Sequence, residues 1–228
     1  MSYIKKLKGI FQLFLSLVNN IRMRTNMNTR NELRQKIRQR RNVLTMEAQL
    51  IASLKLTEQL FSHSKIRSAQ HIALYLANDG ELDPGNFIHW CWNQGKHVYL
   101  PVIHPFSPGN LLFIEYHQSS SMVKNKYGIL EPKLDVRSVR HVNQIDVICT
   151  PLVAFDATGA RLGMGGGFYD RTLAAWYQKY QLRGQVTAKP YPIGLAHDCQ
   201  LVDNIPCELW DIPLPEIITP LKKYQQEV

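Results

Sequence analysis

No stretch of the 228-residue chain reaches 18 consecutive apolar residues, which excludes a transmembrane helix. Cysteine is sparse and scattered: Cys91, Cys149, Cys199 and Cys207 form no C-x-x-C pair, and no Cys/His set has zinc-finger spacing. That pattern reads as reduced thiols in the cytoplasm, with Cys149 a core residue inside Val147-Ile148-Cys149. Glycine and proline, at 13 and 12 residues, are too few for a collagen-like or low-complexity chain. There is no internal repeat. No Ser/His/Asp or Cys/His set with a local signature occurs, so nucleophilic hydrolysis has no support. A chain of this length buries about 70% of its unfolded surface and needs neither disulfides nor a structural metal.

Acid is what the N-terminal part lacks. The net charge is +9, but residues 1–41 hold eleven lysines and arginines against the single acid Glu32. The body is close to neutral. A basic block of this kind suits a polyanion, whether nucleic acid, an acidic membrane surface or a phosphate-bearing small molecule; the plain reading is a solvated helix face. Nucleic-acid binding would want interleaved aromatics or a recognisable module, and neither is present. Within the block, Lys5-Lys6-Leu7-Lys8 precedes the apolar run Ile10 to Val18, like the first two regions of a signal peptide. No small-x-small cleavage site follows. Residues 1–26 therefore read as an extension packing poorly on a domain of residues 27–228, with Met27 able to serve as a start.

From Asn28 the pattern turns regular. Leu33, Ile37 and Leu44 recur at helical spacing, and Arg30, Arg34 and Arg38, four apart, share one face. Thr45 and Glu47 open a second helix whose apolar stripe reads as Leu50, Leu54 and Phe61, flanked by Ile51 and Leu60, with Thr57 as its weak point. Short strands are expected at 71–76, 97–102, 111–114, 147–153, 191–195 and 217–219. Helices are expected from Pro84 to Gly95 and from Phe168 to Tyr180, and a polar connection rich in Ser and Lys follows residue 114. Strands alternating with helices predict an α/β fold: one domain with a mainly parallel sheet covered by helices on both faces.

The segment Arg161-Leu162-Gly163-Met164-Gly165-Gly166-Gly167-Phe168-Tyr169-Asp170-Arg171 lies between a buried strand and a helix, where α/β sheets bind anions. It is neither a Walker A loop nor G-x-G-x-x-G. Four glycines in five residues let backbone N–H groups converge on a phosphate, and Arg161 and Arg171 flank them. Asp170, in the first turn of the helix, suits either the helix dipole or Mg²⁺. Asp211, in Trp210-Asp211-Ile212-Pro213, suits either a turn or a second magnesium contact. Glu81, after Asn78-Asp79-Gly80, suits either a solvated loop acid or an acceptor for an N–H-rich ligand. It is also the one base that an isomerase or acyl-transfer reading on such a sheet can name.

Taken in order, these residues resemble the 5-formyltetrahydrofolate cyclo-ligase family over about residues 29–220. The resemblance is carried by Asn31-Glu32-Leu33-Arg34, Leu74-Tyr75-Leu76 with Asp79-Gly80-Glu81, Val98-Tyr99-Leu100-Pro101, Tyr127-Gly128-Ile129-Leu130-Glu131-Pro132, the Asp146-to-Arg171 block and Gly194-Leu195-Ala196-His197-Asp198. It implies a fold related to the sugar-phosphate isomerase and CoA-transferase-like group, and ATP-dependent conversion of 5-formyltetrahydrofolate to 5,10-methenyltetrahydrofolate with Mg²⁺ required. Beside the resemblance, the expectation is a monomer in the cytoplasm that requires no nucleic acid and no membrane. ATP would be held by Arg30, Arg34, Arg161, Leu162, Gly163, Met164, Gly165, Gly166, Gly167, Phe168 and Tyr169. Leu76, Glu81, Gly163, Gly165 and Gly167 would contact the folate, Asp170 and Asp211 the metal, and Arg161 and Tyr169 the reacting groups. Gly166 stands where some members have Lys, Phe168 where many have Tyr, and Arg30 where some have Lys; residues 1–26 have no counterpart.

Overall fold

The computed structural model describes residues 29–183 and 189–226; the extension expected over residues 1–26 lies outside them. Helix α1 is described over 29–42. Its apolar side turns Ile37, fully buried, onto Val153, Ala154, Leu162 and Ile205. Helix α2, Met46–Phe61, begins as its sequence dictates: the Thr45 side chain accepts from the N–H of Ala48 at 3.1 Å, and Glu47 sits in the first turn. Both features meet unsatisfied N–H groups and the positive end of the helix dipole.

The buried face of α2 is not the stripe of Leu50, Leu54 and Phe61 that its spacing suggests. Leu50, Leu54 and Phe61 are 57%, 49% and 41% exposed, while Ala52, Ser53, Leu56 and Leu60 face inward. The reason is close packing against helix α4, Gly85–Asn93. Ser53 Oγ donates to the Asp83 carbonyl at 2.7 Å and accepts from Asn86 Nδ2 at 3.0 Å, contacts a bulkier residue would block. A satisfied buried serine costs little, so Ala52 and Ser53 join Leu56 and Leu60 on the inner face while Leu50 and Leu54 stay outside. A short helix α3, Ser64–Ser68, links α2 to the sheet.

The strands are β1 His71–Ala73, β2 His97–Ile103, β3 Leu111–Glu115, β4 Met122–Lys124, β5 Leu130–Pro132, β6 Val139–Arg140, β7 Val147–Pro151, β8 Ala154–Phe155, β9 Arg161–Leu162, β10 Tyr191–Leu195, β11 Glu216–Ile218 and β12 Lys223–Gln225. Eight form one sheet in the order β12-β11-β10-β7-β1-β2-β3-β6. The central five, β11 to β2, run parallel; β12, β3 and β6 extend the edges antiparallel. Side chains alternate across the sheet with period two. Ile72, Val147, Cys149 and Ile218 pack on the side of α2 and α4. Ala73, Ile148 and Ile217 pack on the other side, against Leu173 and Trp176 of helix α5, Phe168–Arg183. The chain is thus a single α/β domain with helices on both faces, as the alternation of elements predicts.

Two hairpins inside loops complete the frame. β4 pairs with β5 within the expected polar connection, and β8 pairs with β9 between β7 and the glycine loop. No helix among the described residues is long and apolar enough to cross a membrane.

Candidate active site

The site lies at the carboxyl ends of the parallel strands, where α/β sheets bind ligands. β1 leads into the turn bearing Glu81. β7 leads through the β8–β9 hairpin into Gly163–Gly167 and then α5. Gly165 and Gly167 have φ of +97° and +62°, left-handed values that glycine adopts freely. Among the described residues, no backbone carbonyl accepts from the N–H groups of Gly163 to Gly167, so these donors remain available to a ligand.

Arg34 lies against this loop. Its Nε donates to the Gly163 carbonyl at 2.8 Å and its Nη1 to Asn31 Oδ1 at 2.6 Å. Burial and the neighbouring Arg30 lower its basicity, a cost that a bound anion would relieve. Arg30 is committed elsewhere. It grips Asp211 through both terminal nitrogens and donates to the Pro206 carbonyl at 2.9 Å. The Asp211 hydrogen bond raises its pKa. Arg161 is buried; Nη2 donates to Asp170 Oδ1 at 2.7 Å, and Nε has no partner. Arg171, read from the sequence as a flanking donor, braces the backbone by donating to the carbonyls of Gly109 and Gly166, lies over the Phe168 ring, and lines the same cavity as the loop.

These groups line a cavity of about 740 Å³ that holds Arg30, Arg34, the glycine loop, Asp170 and Asp211 together, with Tyr177 and Trp210 on its walls. A second cavity of about 600 Å³ is more apolar and includes Leu76, Glu81, Leu100, Tyr127, Ile129 and Tyr169. The two share Arg161, Gly163, Met164, Gly166, Gly167 and Asp170. The loop is therefore a common wall. Leu162, ahead of it, is fully buried and serves the core rather than either cavity.

Glu81 faces the second cavity. Burial raises its pKa, and Arg41 and the hydrogen bond from the Asn78 N–H lower it. Burial pushes the Tyr169 phenol well up, so it stays protonated at neutral pH and can donate but not act as a base. The fit for Mg²⁺ differs between the two acids. Asp170 uses Oδ1 for Arg161 and the Ile212 N–H, while no described residue donates to its Oδ2. Both oxygens of Asp211 are taken, by Arg30 and the Glu208 N–H. Among the described residues no three His, Cys, Asp or Glu side chains cluster as ligands. A cation that takes one carboxylate and completes its shell with water and phosphate fits Asp170; Asp211 would have to release Arg30.

Sequence reasoning missed four contributors. Arg41 and Asp79 line the second cavity, as do Tyr127 and Leu130 of the β4–β5 hairpin. Arg41 extends the arginine stripe by one turn, and Tyr127-Gly128-Ile129-Leu130 is an apolar block in a polar stretch. Both were visible, but neither indicates by itself which cavity it meets.

A model of the 5-formyltetrahydrofolate cyclo-ligase family matches residues 26–220. The 5-formyltetrahydrofolate cyclo-ligase of Escherichia coli K12 is 51% identical over 189 residues, covering 83% of this chain and 99% of that protein. The enzyme of the same name from Haemophilus influenzae is 45% identical over 194 residues, covering 84% and 99%. Among solved structures, the 5,10-methenyltetrahydrofolate synthetase of Aquifex aeolicus superposes with a TM-score of 0.71 at 26% identity, over 86% of this chain and 92% of that one. That of Mycoplasma pneumoniae gives 0.63 at 25% identity, over 84% and 98%.

Proposed function

Because the chain belongs to the 5-formyltetrahydrofolate cyclo-ligase family, we propose that it closes 5-formyltetrahydrofolate to 5,10-methenyltetrahydrofolate at the expense of ATP, releasing ADP and phosphate. The observation that carries this reading is the shared wall. A cavity lined with arginine and acid and a cavity of apolar side chains meet at one glycine loop with unspent N–H groups. ATP in the first and folate in the second would bring the γ-phosphate and the formyl oxygen together at that loop.

A formyl oxygen on nitrogen is a poor leaving group. Its attack on the γ-phosphorus forms an O–P bond as the bond to ADP breaks, giving an imidate-like phosphate. The N10 lone pair then attacks the formyl carbon, N10 loses its proton, and the C–O bond breaks to release phosphate. Both steps demand positioning and charge neutralisation more than a protein nucleophile, which agrees with the lack of a triad. Arg34 and the loop N–H groups would hold the phosphates, with the buried Arg161 behind them. Glu81 would accept from the N–H groups of the folate ring system. Asp170 would hold Mg²⁺, which neutralises phosphate charge when bound. All four cysteines are free, which suits action in the cytoplasm.

The test is direct. Purified protein given 5-formyltetrahydrofolate, ATP and Mg²⁺ should produce the methenyl-folate absorbance band and ADP in equal amounts. Ring closure without nucleotide consumption would remove ATP from the scheme, and ADP release without ring closure would remove the folate.

A further inference from the structure

Asp79 holds a backbone conformation that its side chain must justify. Its φ is +52°, and Gly80 follows at +72°. Glycine enters this region freely; an aspartate stays there when local hydrogen bonds hold it. Here all the donors come from the last turns of α1. Arg38 Nε reaches Asp79 Oδ2 at 2.6 Å and Arg41 Nη2 reaches it at 2.8 Å, while Asn42 Nδ2 reaches Oδ1 at 3.1 Å. Arg41 Nε also donates to the Asp79 carbonyl at 2.7 Å. Arg38 foremost, with Asn42 and Arg41, holds the Asp79 carboxyl down at about 2. The turn packs directly on the helix: a Cβ on Gly80 would meet Asn42 Oδ1 at 2.2 Å.

Arg41 is fully buried, and a buried guanidinium needs a structural or functional return for its desolvation. The clasp holds a folate-side group. Glu81 N–H donates to the Asn78 carbonyl at 3.1 Å, and the Asn78 N–H donates to Glu81 Oε2 at 3.1 Å. The carboxylate is thus tied by one oxygen, leaving Oε1 for the cavity that Arg41, Asn78, Asp79 and Glu81 all line. Further toward its N-terminus the same helix carries Arg34 against the glycine loop.

We propose that Arg41 and Asp79 are positioning residues for the folate: their clasp fixes the Asp79–Gly80–Glu81 turn so that Glu81 presents its free oxygen to the N–H groups of the substrate ring, and joins that geometry to the helix bearing Arg34. The proposal rests on reading Glu81 as a folate contact. Arg41 has a second effect through space. Its charge opposes the burial and the Asp79 carboxylate, which both raise the Glu81 carboxyl, and so favours the ionised acceptor; Tyr75, Tyr169 and His197 are the other titratable groups facing this turn.

Steady-state kinetics on the full chain test this. Asn tolerates left-handed backbone, so Asp79→Asn should fold, raise the KM for 5-formyltetrahydrofolate about tenfold, and leave the KM for ATP and kcat near wild type. Arg41→Lys keeps the charge and loses the fork, and should do the same. Arg41→Met should also move the acid limb of kcat/KM for folate to higher pH, because Glu81 then protonates more readily; a purely structural residue would not move that limb. Glu81→Gln separates the failures. An unchanged folate KM in Glu81→Gln would overturn the reading of Glu81 and the proposal with it. If Glu81→Gln raises the folate KM while Asp79→Asn and Arg41→Lys leave it at wild type, with or without a fall in melting temperature, the clasp is a fold contact and the proposal is wrong, although the site reading stands.

Discussion

Arg34 differs from its neighbours in what it leaves uncommitted. Two of its nitrogens hold Gly163 and Asn31, while Nη2 donates to no described residue and lies 3.6 Å from where a Cβ on Gly165 would stand. A charge-assisted bond to phosphate is worth about 1.5–3 kcal/mol, so Arg34→Ala should raise the KM for ATP about 10- to 150-fold with little effect on that for folate. An unchanged ATP KM would make this arginine a loop anchor only. The two acids separate in the same way. Asp170→Asn should lower kcat steeply with partial recovery at high Mg²⁺, because it weakens the one carboxylate with a spare oxygen. Asp211→Asn breaks a pair whose side chains are each 10% exposed and strands Arg30. It should cost about 3 kcal/mol of stability and should not recover with Mg²⁺. Rescue of Asp211→Asn by Mg²⁺, measured as kcat against metal concentration, would return that residue to the metal.

Among the elements, the β4–β5 hairpin shows where local pattern stops informing. Met122–Lys124 and Leu130–Pro132 are too short and too polar around their turn to read as strands, yet their hairpin walls the more apolar cavity. Tyr127 at their turn stands edge-on to Phe168, ring centroids 6.4 Å apart, so the hairpin reaches across to the first residue of α5. Tyr127 is 58% exposed and holds little of the core. Tyr127→Ala should therefore leave the melting temperature almost unchanged. It should weaken folate by the value of an aromatic contact, about 0.5–1.5 kcal/mol, seen as a raised KM for 5-formyltetrahydrofolate alone. A large fall in stability instead would make the hairpin part of the fold rather than of the site. The glycine loop was legible because its signal is local: glycines at a strand-to-helix junction. The buried face of α2 was not, because Ala52 and Ser53 earn their place only against α4, thirty residues away in sequence. The Arg41–Asp79 clasp was hidden for the same reason.

At the scale of the whole molecule, the basic N-terminal block divides into parts with different employment. Within α1, Arg30 pairs with Asp211, and Arg38 and Arg41 with Asp79. The arginine stripe therefore meets the body's acids and the glycine loop. Lys36 and Arg40 stand exposed on the same helix, and five further charges, Lys5, Lys6, Lys8, Arg22 and Arg24, lie in residues 1–26. Those residues fall almost entirely outside the family match, which begins at 26, and 83% of this chain already spans 99% of the Escherichia coli relative. Every group given a role in binding or phosphoryl transfer, from Arg30 to Asp211, lies within the matched part. A chain beginning at Met27 should accordingly keep the kcat, both KM values and the melting temperature of the full chain, while any salt-sensitive binding to RNA or anionic vesicles should fall with the five lost charges. The measurement is a side-by-side comparison of the two chains in the methenyl-folate absorbance assay and in thermal unfolding. A large loss of activity or stability on removing residues 1–26 would mean that the segment completes the domain, and the boundary drawn from the change in composition would be wrong.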